Sequence, residues 1–238
     1  MRVYRIPYST NVERVALALA HKSIPVDWID VDADDRSAVV ALSGQDLVPV
    51  LEADHGEVVA DSMRIVRWLE KRRPDPPLWP ASPGRRAEVD VFVEWFNRVW
   101  KVPPNAMAAE LAAAEPDEQR LHDHSAELRG WLHLFEGLLD GRDWLMGEAF
   151  GAADVCAFPF LKYGVVELRP DDTDPFHHVL AEHLPITGAF PFLKYGVLEL
   201  RSDDTDPFHR VLAEHLPIVG AFPEIEAWVH RVDALPRA

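Results

Sequence analysis

The stretch "PYSTNVERVALAL" (residues 7–19) places two hydroxyls and a carboxamide directly before an apolar run with helical spacing. One helical face carries the apolar residues Val12, Val15, Ala16 and Leu19. This spacing predicts an amphipathic helix. Its polar start has two interpretations. Thr10 with Glu13 fits a capping box that leaves the Ser9 hydroxyl unused, and Ser9 fits the N-cap position equally well.

Strand-like and helix-like segments alternate around this helix. The predicted strands are "RVYRI" (2–6), "VDWIDV" (26–31), "LVPVLE" (47–52) and "EVVA" (57–60). Two more helices are predicted at "DRSAVVAL" (35–42) and "DSMRIVRWLEKR" (61–72). The order βαβ, helix, ββ, α predicts one parallel strand pair and one antiparallel pair. This is the order of a thioredoxin-like α/β domain.

A proline-rich segment separates this region from a second one. "RRPDPPLWPASPGRR" (72–86) holds five prolines, which exclude regular structure. Beyond it only helical signals remain, at 86–101, 117–141, from Gly151 onward, and at 223–235. The predicted organisation is an α/β domain over 1–72, a linker over 73–85 and an all-helical domain over 86–238.

Composition limits the function. The formal charge of −16 argues against nucleic acid as a partner. No apolar run is long enough for a membrane span, and nothing resembles a signal peptide, so a cytoplasmic location is expected. The single cysteine, Cys156, excludes an intramolecular disulfide and is expected to be buried and inert. The histidine spacing matches no metal pattern, so no metal is predicted.

Two short elements indicate a ligand site. Pro49 interrupts a predicted strand, either as an edge proline or through a cis Val48–Pro49 peptide that turns the Val48 main chain toward an extended ligand. Asp61 and Ser62 begin a helix, either as an ordinary N-cap or as an anion site. In the second interpretation Ser62 meets a carboxylate and Asp61 meets an ammonium, as in the α-amino acid end of a ligand.

Residues 158–189 recur almost unchanged at 190–221. The pattern is a tandem duplication rather than a solenoid. Because the first copy continues directly from Gly151, we expect it to occupy the native place, with an uninterrupted helix to about Leu168. The second copy would then be an added helical excursion. The reverse arrangement is the alternative, because nearly every contact is duplicated.

The elements "PYSTNVERVALAL", "LVPVLE" and "DSMRIVRWLE", followed by a proline-rich linker and a helical domain, together resemble the glutathione S-transferase family. The serine-containing element is similar to that of the serine-type classes, the phi class in particular. The start of the next helical segment, "FGAADVCAF" (150–158), resembles the family's buried capping box, with Asp154 at N3 and Gly151 in place of the usual hydroxyl.

The resemblance implies a role for each site residue. Ser9 would be catalytic, donating a hydrogen bond that stabilises the thiolate of bound glutathione. Val48, before the cis proline Pro49, would pair its main chain with the cysteinyl residue. Asp61 and Ser62 would hold the γ-glutamyl end. Arg36 is assigned to the glycine carboxylate.

The substrate side is assigned in the same way. The resemblance places an electrophile against the first helix of the second domain, which makes Phe96, Asn97 and Trp100 pocket candidates. Core packing is the alternative for these aromatic side chains. Tyr8 competes with Ser9 because some family members use a tyrosine, and we assign it to the pocket wall.

The resemblance therefore implies a transferase, isomerase or peroxidase that joins glutathione, or a similar small thiol, to a small electrophile. It also implies a homodimer. The alternative is a non-catalytic thiol- or ligand-binding protein of the same fold.

Overall fold

A computed structural model describes residues 1–7, 9–165, 172–184 and 222–238 of the chain. The strands are β1 (Arg2–Arg5), β2 (Asp27–Asp30), β3 (Val50–Glu52) and β4 (Val58–Ala60). The α-helices are α1 (Thr10–His21), α2 (Ser37–Ser43), α3 (Ser62–Arg72), α4 (Pro83–Trp95), α5 (Val102–Leu111), α6 (Glu118–Leu139), α7 (Ala152–Leu161), α8 (Pro175–His183) and α9 (Pro223–Asp233). A π-helical turn covers Phe96–Trp100, and a 3₁₀ turn covers Lys162–Gly164.

The four strands form one sheet in the order β2-β1-β3-β4. β1 pairs parallel with β2, while β3 pairs antiparallel with both β1 and β4. The predicted thioredoxin-like strand order and directions are confirmed. β3 begins at Val50 rather than at residue 47, because Pro49 has no N–H to offer to the ladder.

The described residues form two compact units. The first contains the described residues of Met1–Phe96, Trp144–Pro159 and Arg231–Ala238, and the second contains those of Asn97–Asp143 and Phe160–His230. The sheet lies in the first unit, and its helix α1 is buried along most of its length. The division into 1–72, 73–85 and 86–238 stays a prediction.

The proline-rich segment is fixed to the sheet unit by a buried cation. The Lys22 ammonium is fully buried and lies 2.6 Å from the Glu70 carboxylate. It also donates to the carbonyls of Arg73 (2.7 Å) and Pro76 (2.9 Å). Glu70 in turn accepts from the N–H of Leu78 at 3.1 Å. Hydrogen bonds from an ion pair therefore order a segment that has little regular structure.

The start of α7 explains why glycine replaces a hydroxyl residue there. The buried Asp154 accepts from the N–H of Gly151 (2.9 Å) and of Leu145 (3.0 Å), so the expected half of the capping box is present. A Cβ added at Gly151 would lie 3.0 Å from the Leu78 carbonyl oxygen. That oxygen already accepts from the N–H of Ala152 at 2.8 Å. A serine or threonine cap would therefore meet a main-chain atom that is held in place.

The uninterrupted helix expected to run to about Leu168 is wrong. α7 ends at Leu161, two residues after Pro159, and continues only as a 3₁₀ turn. Pro159 lies inside the helix, where it cannot donate to the Val155 carbonyl and crowds the preceding turn.

The second unit is helical in its described part. α5 packs against α6 and α8, and the Trp100 ring meets the rings of Phe135 (6.3 Å between centroids) and Phe160 (6.0 Å) edge to face. The described part of the first repeat copy supplies buried residues to this unit: Phe160, Leu161, Val179, Leu180 and Leu184. The second copy, 190–221, lies outside the described residues, and so does the expected excursion. In the described part of the chain, no helix has the length and apolar character that crossing a membrane requires.

Candidate functional site

One end of the sheet gathers three of the predicted site segments. The carboxyl ends of β1 and β4 and the amino end of β3 lie side by side, because Val50 pairs with Tyr4 in β1 and with Ala60 in β4. The chain leaves β1 toward Ser9, and it leaves β4 toward Asp61 and Ser62. Val48 and Pro49 enter β3 from the same end.

Ser9 occupies the N-cap position of α1. Its carbonyl accepts from the N–H of Glu13 at 3.0 Å, but its side chain makes no capping hydrogen bond to the helix. Thr10 is the first helical residue and is buried, and the Glu13 carboxylate lies 3.4 Å from Arg237. The capping box of Thr10 with Glu13 is therefore wrong. Ser9 holds the N-cap position, as the second interpretation predicts, but its half-buried hydroxyl is not used to cap α1.

The Val48–Pro49 peptide is cis, as one of the two interpretations predicts. Val48 precedes the first paired residue of β3. Within the described residues, neither the N–H nor the carbonyl of Val48 takes part in a hydrogen bond of the protein. Main-chain groups are normally paired when a protein or a ligand covers them. Val48 thus offers one donor and one acceptor to an extended ligand.

The start of α3 combines an N-cap with an unusual main-chain conformation. Asp61 has φ +77° and ψ 128°, and its carboxylate accepts from the N–H of Arg64 at 2.9 Å. A positive φ at a residue with a side chain costs about 1–3 kcal/mol and is frequent at functional sites. Asp61 is exposed, whereas the next residue, Ser62, is 3% exposed. The ordinary cap is present, and it uses one of the two carboxylate oxygens of this exposed residue.

Arg36 connects two loops at the same end of the sheet. Its guanidinium donates to the carbonyls of Ala33 (3.1 Å) and Asp46 (3.3 Å). These contacts hold the loop before α2 against the loop that leads to Val48. The assignment of Arg36 to a ligand carboxylate stays a prediction.

The proposed pocket residues have mixed surroundings. Phe96 is fully buried in the first unit, where its ring lies 6.2 Å from that of Phe92. Trp100 is fully buried in the second unit. Asn97 is half-buried and belongs to the second unit. The complete burial of both aromatic rings favours the alternative of core packing. Tyr8 lies outside the described residues.

Arg14 is the residue that the sequence reasoning missed. It is 1% exposed, and its guanidinium donates to the Cys156 carbonyl (2.8 Å), to Asn11 Oδ1 (3.2 Å) and to Ser62 Oγ (3.3 Å). Burial lowers the pKa of this guanidinium, and the charge of Asp61 acts in the opposite direction. The signal in the sequence is an arginine within a helix whose other positions are mostly apolar.

The described residues include no group of three or more His, Cys, Asp or Glu side chains arranged to hold a metal ion. Cys156 is buried, as expected, and its sulfur lies 3.3 Å from Arg14 Nη2.

Comparisons with known proteins agree with this arrangement. Residues 3–77 match the model of the glutathione S-transferase N-terminal domain, and residues 100–181 match that of the C-terminal domain. The chain is 31% identical to a maleylacetoacetate isomerase of Pseudomonas aeruginosa over 175 residues, which are 68% of this chain and 80% of that protein. It is 28% identical to the glutathione S-transferase GstB of Escherichia coli K12 over 162 residues, which are 64% of this chain and 77% of that protein.

A solved structure shows the same likeness. Glutathione transferase F2 of Populus trichocarpa superposes with a TM-score of 0.57 at 25% identity, covering 66% of this chain and 79% of that one. A thioredoxin-like sheet followed by a helical region is the two-domain arrangement that these family models describe. This chain belongs to the glutathione S-transferase family.

Proposed function

We propose that this protein is an enzyme that binds glutathione, or a similar small thiol, and activates it for attack on a small electrophile. The observation that carries the proposal is the convergence of unused polar groups at one end of the sheet. Within the described residues, these are the Ser9 hydroxyl, the main-chain N–H and carbonyl of Val48, and Asp61 Oδ2, the carboxylate oxygen that does not accept from Arg64. Family membership and the enzymatic relatives support it.

Each group suits one part of a γ-glutamyl tripeptide. Val48 pairs with the main chain of the cysteinyl residue, as one strand pairs with another. Ser62 and the first N–H groups of α3 receive the glutamyl carboxylate, because a helix N-terminus favours an anion. Asp61 receives the glutamyl ammonium.

Ser9 acts on the thiol rather than as a nucleophile. Its O–H donates to the thiolate sulfur, and the N-terminus of α1 adds a favourable dipole. Both effects stabilise the charged form and lower the pKa of the bound thiol, so more thiolate is present near neutral pH. The thiolate then attacks an electrophilic carbon.

The test compares Ser9→Ala with Ser82→Ala. Ser82 is a matched control because it also holds an N-cap position, at the start of α4, without a side-chain capping bond. We expect Ser9→Ala to raise the pKa of the bound thiol by about one unit, since a hydrogen bond to a charged group contributes about 1.5–3 kcal/mol. Ser82→Ala should leave that pKa unchanged. The measurement is an ultraviolet titration of the bound thiolate.

The same variants separate an enzyme from a binding protein. Conjugation of an aromatic halide below the thiol pKa should slow about tenfold in Ser9→Ala. A panel with an isomerisation substrate extends the assay, because one relative is named an isomerase. Thiol binding without turnover in the unmodified protein would support the non-catalytic alternative. An unchanged thiolate titration in Ser9→Ala would remove Ser9 from the mechanism.

We also propose that the protein is a homodimer. Leu47 and Val91 are 65% and 69% exposed, and both lie in the unit that contains the sheet. The family resemblance implies the homodimer, and these two exposed apolar side chains are candidates for its interface. Sedimentation at micromolar concentration should give a dimer, and Leu47→Glu should shift it toward monomer. A monomer in the unmodified protein would contradict this.

A further inference from the structure

Arg14 lies where three helices meet. From one buried guanidinium, Nε and Nη2 reach the carbonyl and sulfur of Cys156 in α7, and Nη1 reaches Asn11 in the first turn of α1 and Ser62 at the start of α3. The Phe96 ring lies on one face, with its centroid 5.5 Å from the guanidinium carbon. The residue thus connects the helix that follows Ser9 to the helix that follows Asp61.

The chemistry of the guanidinium decides what Ser62 is able to do. Arginine is a donor only, so Ser62 Oγ must accept from Nη1 across the 3.3 Å contact. The proton of Ser62 therefore points elsewhere. Within the described residues its acceptor is Asn11 Oδ1 at 3.5 Å, the long limit of a hydrogen bond. Asn11 Oδ1 also accepts from Arg14 at 3.2 Å, so it is already partly satisfied.

We propose that Arg14 is a positioning residue that fixes Ser62 as a hydrogen-bond donor for the carboxylate of the bound thiol peptide. This inference rests on the proposed function and adds a residue to it. A carboxylate oxygen is a stronger acceptor than an amide oxygen at 3.5 Å, so ligand binding exchanges a weak bond for a strong one. The same guanidinium holds the starts of α1 and α3 together, which sets the distance between the carboxylate and the Ser9 hydroxyl.

The experiment measures how strongly binding depends on that carboxylate. Titration calorimetry compares glutathione with an analogue in which the glutamyl α-carboxylate is an amide. The unmodified protein should bind glutathione about tenfold more tightly than the amide, or better, since a hydrogen bond to a charged group is the contact being lost. In Arg14→Lys and Arg14→Gln this ratio should fall toward one, mainly through weaker glutathione binding.

Arg129→Lys is the matched control. Arg129 donates to the buried Ser125 hydroxyl at 3.1 Å in the second unit, so it makes the same kind of contact away from the site. In Arg129→Lys, the ratio of glutathione affinity to amide affinity should equal that of the unmodified protein. A merely structural arginine at position 14 would weaken both ligands equally and leave the ratio unchanged.

The outcomes are distinguishable. If the unmodified protein binds neither glutathione nor the amide, the proposed function fails and the role of Arg14 fails with it. If it binds both and the Arg14 variants keep the full ratio, only the role of Arg14 is overturned. Loss of a cooperative melt in both Arg14 variants would show an arginine required for folding alone, which also overturns the positioning role.

Discussion

Two buried serines of this protein accept a hydrogen bond from a neighbouring arginine, yet they differ in what their own protons do. Ser62 accepts from Arg14 at 3.3 Å, and Ser125 accepts from Arg129 at 3.1 Å; both serines are 3% exposed. The Ser125 hydroxyl lies 3.1 Å from His183 Nδ1, a good acceptor when the imidazole is neutral. Within the described residues, the Ser62 proton has one acceptor, Asn11 Oδ1, at 3.5 Å.

The difference separates a structural contact from a binding contact. In the helical unit the arginine, serine and histidine satisfy one another, and the cluster is closed. In the sheet unit, the pairing of Arg14 with Ser62 leaves the Ser62 O–H with a poor acceptor. This hydroxyl follows Asp61, with its positive φ, at the end of the sheet where Val48 also lies. Buried polar groups are normally satisfied, so a poorly satisfied one indicates where a ligand completes the protein.

We expect the largest effect at the buried ion pair of Lys22 and Glu70. Lys22→Met removes the cation from beneath Glu70 and from two main-chain carbonyls. Breaking a buried ion pair on one side costs about 3–5 kcal/mol, because the other charge is left without its partner. Urea unfolding should show this loss, with thiol binding per folded molecule unchanged.

The control is an exposed pair. Arg85 and Glu88 lie 2.6 Å apart with each side chain about half exposed, at 49% and 51%. Arg85→Met should cost at most about 1 kcal/mol. Similar losses in the two variants would show that the buried ion pair does not fasten the proline-rich segment.

The second prediction concerns how the stability contributed by the cluster of Arg129, Ser125 and His183 depends on pH. Burial, and then the charge of Arg129, lower the pKa of His183 to about 4. The unfolded chain takes up the proton near pH 6.5, so the folded state loses stability as the pH falls from about 6.5 to 4. The loss attributable to His183 is about 3 kcal/mol, from about 1.4 kcal/mol per unit. Unfolding free energies of the unmodified protein and of His183→Gln, measured across this range, should converge at low pH.

The duplication supplies the control for that prediction. His215 is the same position in the second copy and lies outside the described residues. His215→Gln should keep the pH dependence of the unmodified protein if the first copy holds the native place. If His215→Gln instead loses the pH dependence of the unfolding free energy and His183→Gln keeps it, the second copy occupies that place.

Most of the fold could be predicted because it rests on periodicity. The strand order, the helices α1 and α3 and the half capping box at Asp154 all follow from apolar spacing and capping residues. Helix α5 was not predicted; Pro103 and Pro104 lie in its first turn, where proline is tolerated. The end of α7 was placed too late, because the apolar pattern continues past Leu161.

The site could be predicted only in part, for a different reason. Ser9, Val48, Asp61 and Ser62 belong to local motifs with a recognisable spacing. Arg14 stands out locally as an arginine in a mostly apolar helix, but its contact with Cys156, 142 positions away in sequence, is visible only in the structure. Phe96 and Trp100 are aromatic at helical spacing, which fits a core and a pocket alike until burial is known.

The smallest effect, and the most direct test of the comparison, is the exchange of the two serines for alanine. Ser125→Ala leaves the half-buried His183 Nδ1 without its hydrogen-bond partner and removes an acceptor from Arg129. We expect it to destabilise the protein by about 1–3 kcal/mol. Ser62→Ala removes a hydroxyl whose proton is poorly used, and Arg14 keeps Asn11 and Cys156, so its cost should be below about 1 kcal/mol. Binding should show the reverse order, with glutathione affinity reduced about tenfold in Ser62→Ala and unchanged in Ser125→Ala. Urea unfolding and calorimetric titration of both variants give the four values. Equal stability losses, or equal binding losses, would mean that the open and closed hydroxyls do not differ in function, and that the carboxylate is held elsewhere.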